Sequence, residues 1–323
     1  MNKNMANITL RPADPQRDFR QLAAWFTILE DEYNSEAGLR EFFEKNRQRI
    51  IHHKVAGKTQ GELLGFSWAT RDHVEPDWME FDLFIRPEQR RQGLGDRLYT
   101  DLLEAVKAAR VKKLRVRVRD ISPECRVFAE RRGFSERKHQ IAMALDLGAF
   151  DDQLYEGIID RLKVEGFQFT SMEELGNTPE AQRRLYLLND STAITTPGTK
   201  GEHSWASFED FQKSVCQSDW YSPGGQFVAI DTSNGAWAAM CAISRFEGNE
   251  YANTLHIGVD RPYRGRKLGQ AVRVLALRYA RDVLKAHSVR TTHNGENLPA
   301  LAIDRKLGYV PIAGTSTMEK VLE

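Results

Sequence analysis

Two stretches of this chain could hold a phosphate with backbone alone: Arg90-Arg91-Gln92-Gly93-Leu94-Gly95 and Arg264-Gly265-Arg266-Lys267-Leu268-Gly269. Each follows a short apolar run and opens a helical pattern. Its buried stripe is Leu94, Leu98, Leu102 and Val106 in one copy, and Leu268, Val272, Leu275 and Tyr279 in the other. A strand that passes through a tight glycine turn into a helix aims unpaired N–H groups, and the positive helix end, at one point. Such a point binds phosphate or pyrophosphate whatever side chains surround it. Glycine allows positive φ and close approach there, and the arginines and lysine add charge. Solvated arginines on an ordinary turn would explain one copy. Two copies are separated by 174 positions (90 to 264), and a Gly-aromatic pair, Gly133-Phe134 and Gly308-Tyr309, recurs 175 apart. Two landmarks at nearly one offset indicate a duplicated domain, since this period is far longer than any solenoid repeat.

A second set of residues could move protons. Glu80 and Asp82 stand two apart on the run before the first loop, so a strand presents them on one face. His256 holds a comparable place before the second loop, and imidazole titrates near neutrality. These are candidate general bases; a solvated strand face is the plainer reading of each. His203, Trp205 and Asp190 lie in a long Ser/Thr/Pro/Gly stretch that could contact an acceptor.

The elements that must position these groups follow from periodicity. In the first half we expect an edge strand at 8–13, helical sequence over 17–50, and strands near 62–70 and 79–85. A helix near 93–110, a strand over 114–119, a helix near 123–132 and a strand near 139–147 complete it. The second half is expected to give helices near 178–189 and 208–216, with Ser207 as N-cap, then strands near 226–231, 236–245 and 252–259. A helix after the loop, a strand at 288–292, a helix near 298–307 and a last strand follow. The fold class is α/β, an α+β mixed sheet with helices on both faces. The expected domains are 1–148 and 155–323, with 148–155 as linker.

Composition narrows the function. Hydrophobic content of 41% and charged content of 28% over 323 residues are those of globular domains. A net charge of +1 argues against nucleic acid as partner. Arg115, Arg117 and Arg119 share a strand face that reads as salt-bridged, not as a nucleic-acid stripe. Cys125, Cys216 and Cys241 show neither a disulfide framework nor metal spacing, so no metal is expected. The start lacks a long apolar run, which suggests no membrane association and a cytoplasmic setting. Neither loop fits GxxxxGK[ST], and residues 93–98 lack the third glycine of a dinucleotide fingerprint.

Ile85-Arg86-Pro87 through Gly95 resembles the acetyl-CoA pyrophosphate motif of the GNAT N-acetyltransferase superfamily, an apolar strand end and proline followed by R/Q-x-x-G-x-G/A. Gly258 through Gly269 is similar, with Lys267 where the first motif glycine would stand. Thr292-His293-Asn294-Gly295-Glu296-Asn297 and Leu301 through Tyr309 resemble the tail of tandem members. The resemblance covers nearly the whole chain and implies a tandem duplication of the GNAT acyl-CoA N-acyltransferase fold. It implies direct transfer of an acetyl or other acyl group from acetyl-CoA, or another acyl-CoA, to a primary amine of a small molecule or peptide. The alternatives are a non-catalytic acyl-CoA-binding or regulatory protein, and an O- or S-acyltransferase on the same fold. By the same resemblance Arg90, Arg91, Gln92, Gly93, Leu94 and Gly95 hold one pyrophosphate, and Arg264, Gly265, Arg266, Lys267, Leu268 and Gly269 another. A backbone N–H at Ile85 or Val259 polarises the thioester, and Asn294 and Asn297 approach the CoA arm. Many members place a tyrosine four residues before the Gly-aromatic pair to protonate the leaving sulfur; Ala129 and Asp304 stand there instead. The fuller tail favours the second half as the transfer centre, in a monomer or homodimer.

Overall fold

The computed structural model describes residues 7–59, 61–72, 75–197 and 205–322, so His203 lies outside the described residues. Two compact units emerge. One runs to His139 and resumes at Thr315; the other is Gln140–Gly314.

The first unit holds β1 (Ile8–Pro12), α1 (Phe19–Glu30), α2 (Glu36–Lys45), β2 (Ile50–Lys58), β3 (Leu63–Arg71) and β4 (Trp78–Ile85). Then come α3 (Leu94–Ala108), β5 (Lys113–Arg119), α4 (Pro123–Glu130) and the start of β6 (Ser135–Asp146). Helical sequence was expected throughout 17–50, but α1 and α2 end before β2, whose Ile50 and Val55 are buried. Ser35 caps α2 by accepting from Gly38 N–H at 2.9 Å. The sheet is antiparallel along β1-β2-β3-β4, with one parallel pair, β4-β5. One face carries an aromatic core of Phe19, Trp25, Phe26, Phe43, Phe66, Trp68 and Phe84 under α1 and α2. The other packs Met79, Phe81 and Leu114 against Leu102 and Val106 of α3.

The second unit repeats the plan. It has α5 (Glu156–Val164), β7 (Phe167–Ser171), α6 (Pro179–Ile194), α7 (Phe208–Phe211), β8 (Gln226–Asp231), β9 (Trp237–Ser244) and β10 (Tyr251–Val259). The rest is α8 (Leu268–Asp282), β11 (Ser288–Asn294), α9 (Leu298–Leu307) and the start of β12 (Val310–Val321). Ser207 caps α7 through Asp210 N–H at 3.2 Å, and a π-turn carries the helix on through Cys216. The strands run β7-β8-β9-β10-β11, again with one parallel pair, β10-β11. α5 and β7 have no counterpart among the expected elements.

The ends of the two long strands correct the expected boundaries. Residues 140–146 of β6 pair with β11 in the second unit, and residues 315–321 of β12 pair with β5 in the first. Each repeat therefore lends its last strand to the other unit. Residues 148–155 are not a spacer either: Phe150 is buried in the second core and stacks on Tyr155 at 5.8 Å.

Candidate functional site

In both units the parallel strands part company. β4 and β5 are paired only at Trp78, Met79 and Glu80 opposite Lys113, Leu114 and Arg115, although β4 continues to Ile85. β10 and β11 are paired only from Tyr251 to Asn253, and β10 continues to Val259. In the first unit the gap opens into a cleft of about 820 Å³. Its walls include residues 81–85 of β4, 116–119 of β5 and the loop residues Arg90, Arg91, Gly93 and Gly95. Ser122, Phe128 and Ala129 of the α4 region close it.

The loops at the mouth of the two gaps share a backbone. In the first, Arg91 and Gly93 have φ of 61° and 89°; in the second, Gly265 and Lys267 have φ of 80° and 70°. Glycine occupies one of the two left-handed positions in each copy and a basic residue the other, with the order reversed. Lys267 thus keeps the geometry that the missing glycine would supply. The first intrahelical bond of α3 is Arg97 N–H to Gly93 C=O, and that of α8 is Ala271 N–H to Lys267 C=O. The amides of Leu94, Gly95 and Asp96, and of Leu268 and Gly269, precede these bonds as first-turn donors at a positive helix end. Gly95 is tight: a Cβ there would lie 3.2 Å from the Phe128 ring. Such a cradle fits a pyrophosphate.

Arg90 and Arg264 have a structural duty. Each donates from Nε to the carbonyl that ends the preceding strand, Ile85 or Val259, at 3.1 Å. Arg90 also meets Glu124 at 2.8 Å, and Arg266 meets Glu165 at 2.9 Å. Both candidate asparagines have local roles as well. Asn297 accepts from Ala300 N–H at 3.4 Å as the N-cap of α9, and Asn294 accepts from Glu296 N–H at 3.1 Å.

The duplication sets Asp82 opposite His256, 174 positions apart, yet their environments differ. Asp82 is half-buried in the cleft wall, and loss of solvent pushes its carboxyl up to about 7 despite the nearby Arg117. Glu80 is held by Arg117 Nε at 2.8 Å, and Arg117 also faces Glu30 at 3.4 Å. Arg115 meets Glu319 and Arg119 meets Asp31, so the arginine stripe is an ion-paired face as expected. His256 bonds to Thr192 Oγ1 at 2.8 Å, and burial lowers it to about 4. Thr192 presses on Gly258, where a Cβ would fall 2.2 Å from its hydroxyl. Trp205 donates to Asn189 at 3.0 Å and packs into the second unit's core.

Three side chains escaped sequence reasoning. Arg273 is fully buried and paired with Asp304 at 2.7 Å, while His293 meets the other oxygen of Asp304 at 2.6 Å. Asp304 is therefore locked in an ion cluster. The third is Tyr99, a buried residue in the wall of the first cleft. A polar residue within a helical apolar stripe was the only sign of Arg273.

The acetyltransferase (GNAT) family profile matches residues 19–134 and again 192–309. The chain belongs to the GNAT acetyltransferase family. A mycothiol acetyltransferase of Acidothermus cellulolyticus is 27% identical over 71% of this chain and 67% of its own length. One from Thermobifida fusca is 26% identical over 80% of this chain and 79% of its own length. A GCN5-related N-acetyltransferase from Sphaerobacter thermophilus superposes with a TM-score of 0.72 at 17% identity, covering 98% of this chain and 96% of that one. A tandem GNAT protein of the clavulanic acid pathway gives 0.60 at 19%, covering 83% and 82%. This GNAT protein moves an acetyl group from acetyl-CoA to an amine, and the non-catalytic, O- and S-acyl alternatives are not favoured. No helix among its described residues is long and apolar enough to cross a membrane.

Proposed function

We propose that the first unit is the transfer centre, with Asp82 as general base and an amine of a small molecule as acceptor. The observation that carries this reading is the contrast between Asp82 and His256. A base works best when its pKa lies near the working pH. Asp82 at about 7 in an open cleft meets that condition, whereas His256 at about 4 is a weak base clasped by Thr192. The residues Arg91 to Gly95 would hold the pyrophosphate with their amides, and Ile85 lies where a strand-end N–H would polarise the thioester. The acceptor class follows from the relatives named mycothiol acetyltransferase. The second loop, with the same backbone, is read as a further CoA site without transfer. The three cysteines are free, which suits a reduced cytoplasm.

The test is turnover of acetyl-CoA against a panel of small amines. Asp82→Asn is expected to lower kcat by about 10²-fold or more while acetyl-CoA still binds. Intact turnover in Asp82→Asn together with its loss in His256→Gln would move the centre to the second unit.

A further inference from the structure

The two reactants must enter the first gap from opposite faces of the sheet. The cradle leads into α3, which packs on the face of β4 that carries Phe81: that ring lies 6.0 Å from Tyr99. Glu80, Asp82 and Phe84 share the other face, where Phe84 stacks on Trp25 of α1 at 5.0 Å. An amine that reaches Asp82 therefore arrives on the α1 side, and the groups standing there decide which amines fit.

One side chain dominates that side. Arg117 of β5 lines the cleft with its side chain 48% exposed, so a ligand in the cleft can touch it. It is also held in place. Glu80 meets its Nε at 2.8 Å, and Glu30 at the end of α1 accepts from its Nη2 at 3.4 Å. Glu30 is itself fixed by Asn34, whose Nδ2 donates to its second carboxylate oxygen at 2.9 Å. No hydrogen bond among the described residues engages Arg117 Nη1. A planar guanidinium anchored at two of its nitrogens presents the third in a fixed direction.

The charge around it selects what that nitrogen can take. Glu30, Glu80 and the ionised form of Asp82 set three carboxylates against this one guanidinium, while the neighbouring Arg119 is cancelled by Asp31 at 3.0 Å. An arriving carboxylate is repelled by that surplus. A neutral carbonyl or hydroxyl oxygen meets no such repulsion and can accept from Nη1, and the ammonium form of the amine is drawn in by the same surplus.

We infer that Arg117 is a specificity-determining residue of the first unit: it donates to a neutral oxygen carried beside the reacting amine, and with Glu30 and Glu80 it admits amino amides and amino alcohols while turning away free amino acids. The inference rests on placing transfer in the first unit. The loop end of the same cleft has the opposite sign, with Arg91 and Arg131 in its wall. Anionic donor and cationic acceptor are thus sorted to their own ends.

Matched triplets of acceptors test this: an amino acid amide, the free amino acid and the alkylamine lacking both groups, built on several side chains. Each is acetylated by the parent, Arg117→Met and Glu30→Gln. Ratios of kcat/KM between two acceptors, compared across variants, cancel the basicity of each amine and any general change at Asp82. Arg117→Met should lower the amide-to-alkylamine ratio about tenfold, as expected for one charge-assisted hydrogen bond. Glu30→Gln should raise the acid-to-amide ratio about fivefold as a repelling charge is removed, and it decides alone if Arg117→Met does not fold. A purely structural arginine would slow all acceptors alike. Unchanged ratios therefore overturn the inference, as does a parent that acetylates the free acids best. If Asp82→Asn abolishes turnover while the ratios stand unchanged, only the role of Arg117 falls. If Asp82→Asn, Arg117→Met and Glu30→Gln all match the parent on every acceptor, the first unit is not the transfer centre.

Discussion

Asp82 and His256 descend from one position and show how far side-chain chemistry depends on its surroundings. A carboxyl raised to about 7 is half ionised near neutral pH, and only its ionised form accepts a proton. The amine-transfer rate should therefore rise with pH through about 7 and level off above it. A pH profile of kcat/KM that is flat between pH 6 and 8, or falls there, would reject Asp82 as base. The same shift acts on folding. Because the folded state holds the proton more tightly than the unfolded chain, whose pKa is near 3.8, the stability is complete below about 4. It is lost as pH rises through about 7. Asp82→Asn should accordingly melt higher than the parent at pH 8, with the gap closing toward pH 5. The alternation of β4 made Glu80 and Asp82 visible as a pair in the sequence. What separates them, Arg117 on Glu80 and desolvation on Asp82, comes from β5 and α1 and has no local signature.

At the scale of the element, the strand-loop-helix unit was the most legible part of the chain, because its glycines, proline and apolar stripe lie within one short window. Lys267 looked like a break in the motif; the structure shows it in the conformation of Gly93, while Gly265 takes that of Arg91. A left-handed residue with a side chain costs roughly 1–2 kcal/mol. Gly265→Ala should then destabilise by about 1 kcal/mol or more, whereas Lys267→Gly should stay within about 0.5 kcal/mol, its relief offset by unfolded-chain entropy. Thermal melts of the two variants decide this, and equal losses would contradict the exchange of glycine positions. The function of the loops is checked separately. A Cβ at Gly95 meets the Phe128 ring and one at Gly269 lies 3.0 Å from Val259, and Asp at either would set a negative charge at the cradle. Calorimetry should count two CoA per parent chain, one in Gly95→Asp or Gly269→Asp, and none in the double variant. Unchanged stoichiometry in the double variant would remove both loops from pyrophosphate binding. By contrast β2, α5 and β7 were not legible. β2 mixes His52, His53 and Lys54 among its apolar residues, and its buried His52 bonds to Ser67, 2.7 Å away on β3, and faces Asp101 of α3 at 3.8 Å.

At the scale of the whole molecule, the repeat was plain in the sequence but its boundary was not, since strand exchange leaves no mark in composition. The pattern of β12 says only that it is a strand; its partner is set by seven register pairs with β5, from Thr315 opposite Arg119 to Val321 opposite Lys113. Met318, fully buried in the first core, and Glu319, paired with Arg115, tie it in. A chain cut at residue 148 would lose all of this, leaving β5 as an open edge and the core exposed where Met318 sat. Exposed edges of that kind template aggregation. The fragment 1–148 should therefore be insoluble or molten, although its sequence contains one full copy of the family profile match. Appending residues 310–322 to it through a flexible linker should restore a cooperative melt and a folded amide spectrum. If 1–148 folds equally well alone, the strand is dispensable to the first unit. If the appended strand rescues it, acetyl-CoA binding by the rescued fragment would also show that the first cleft is complete within its own unit.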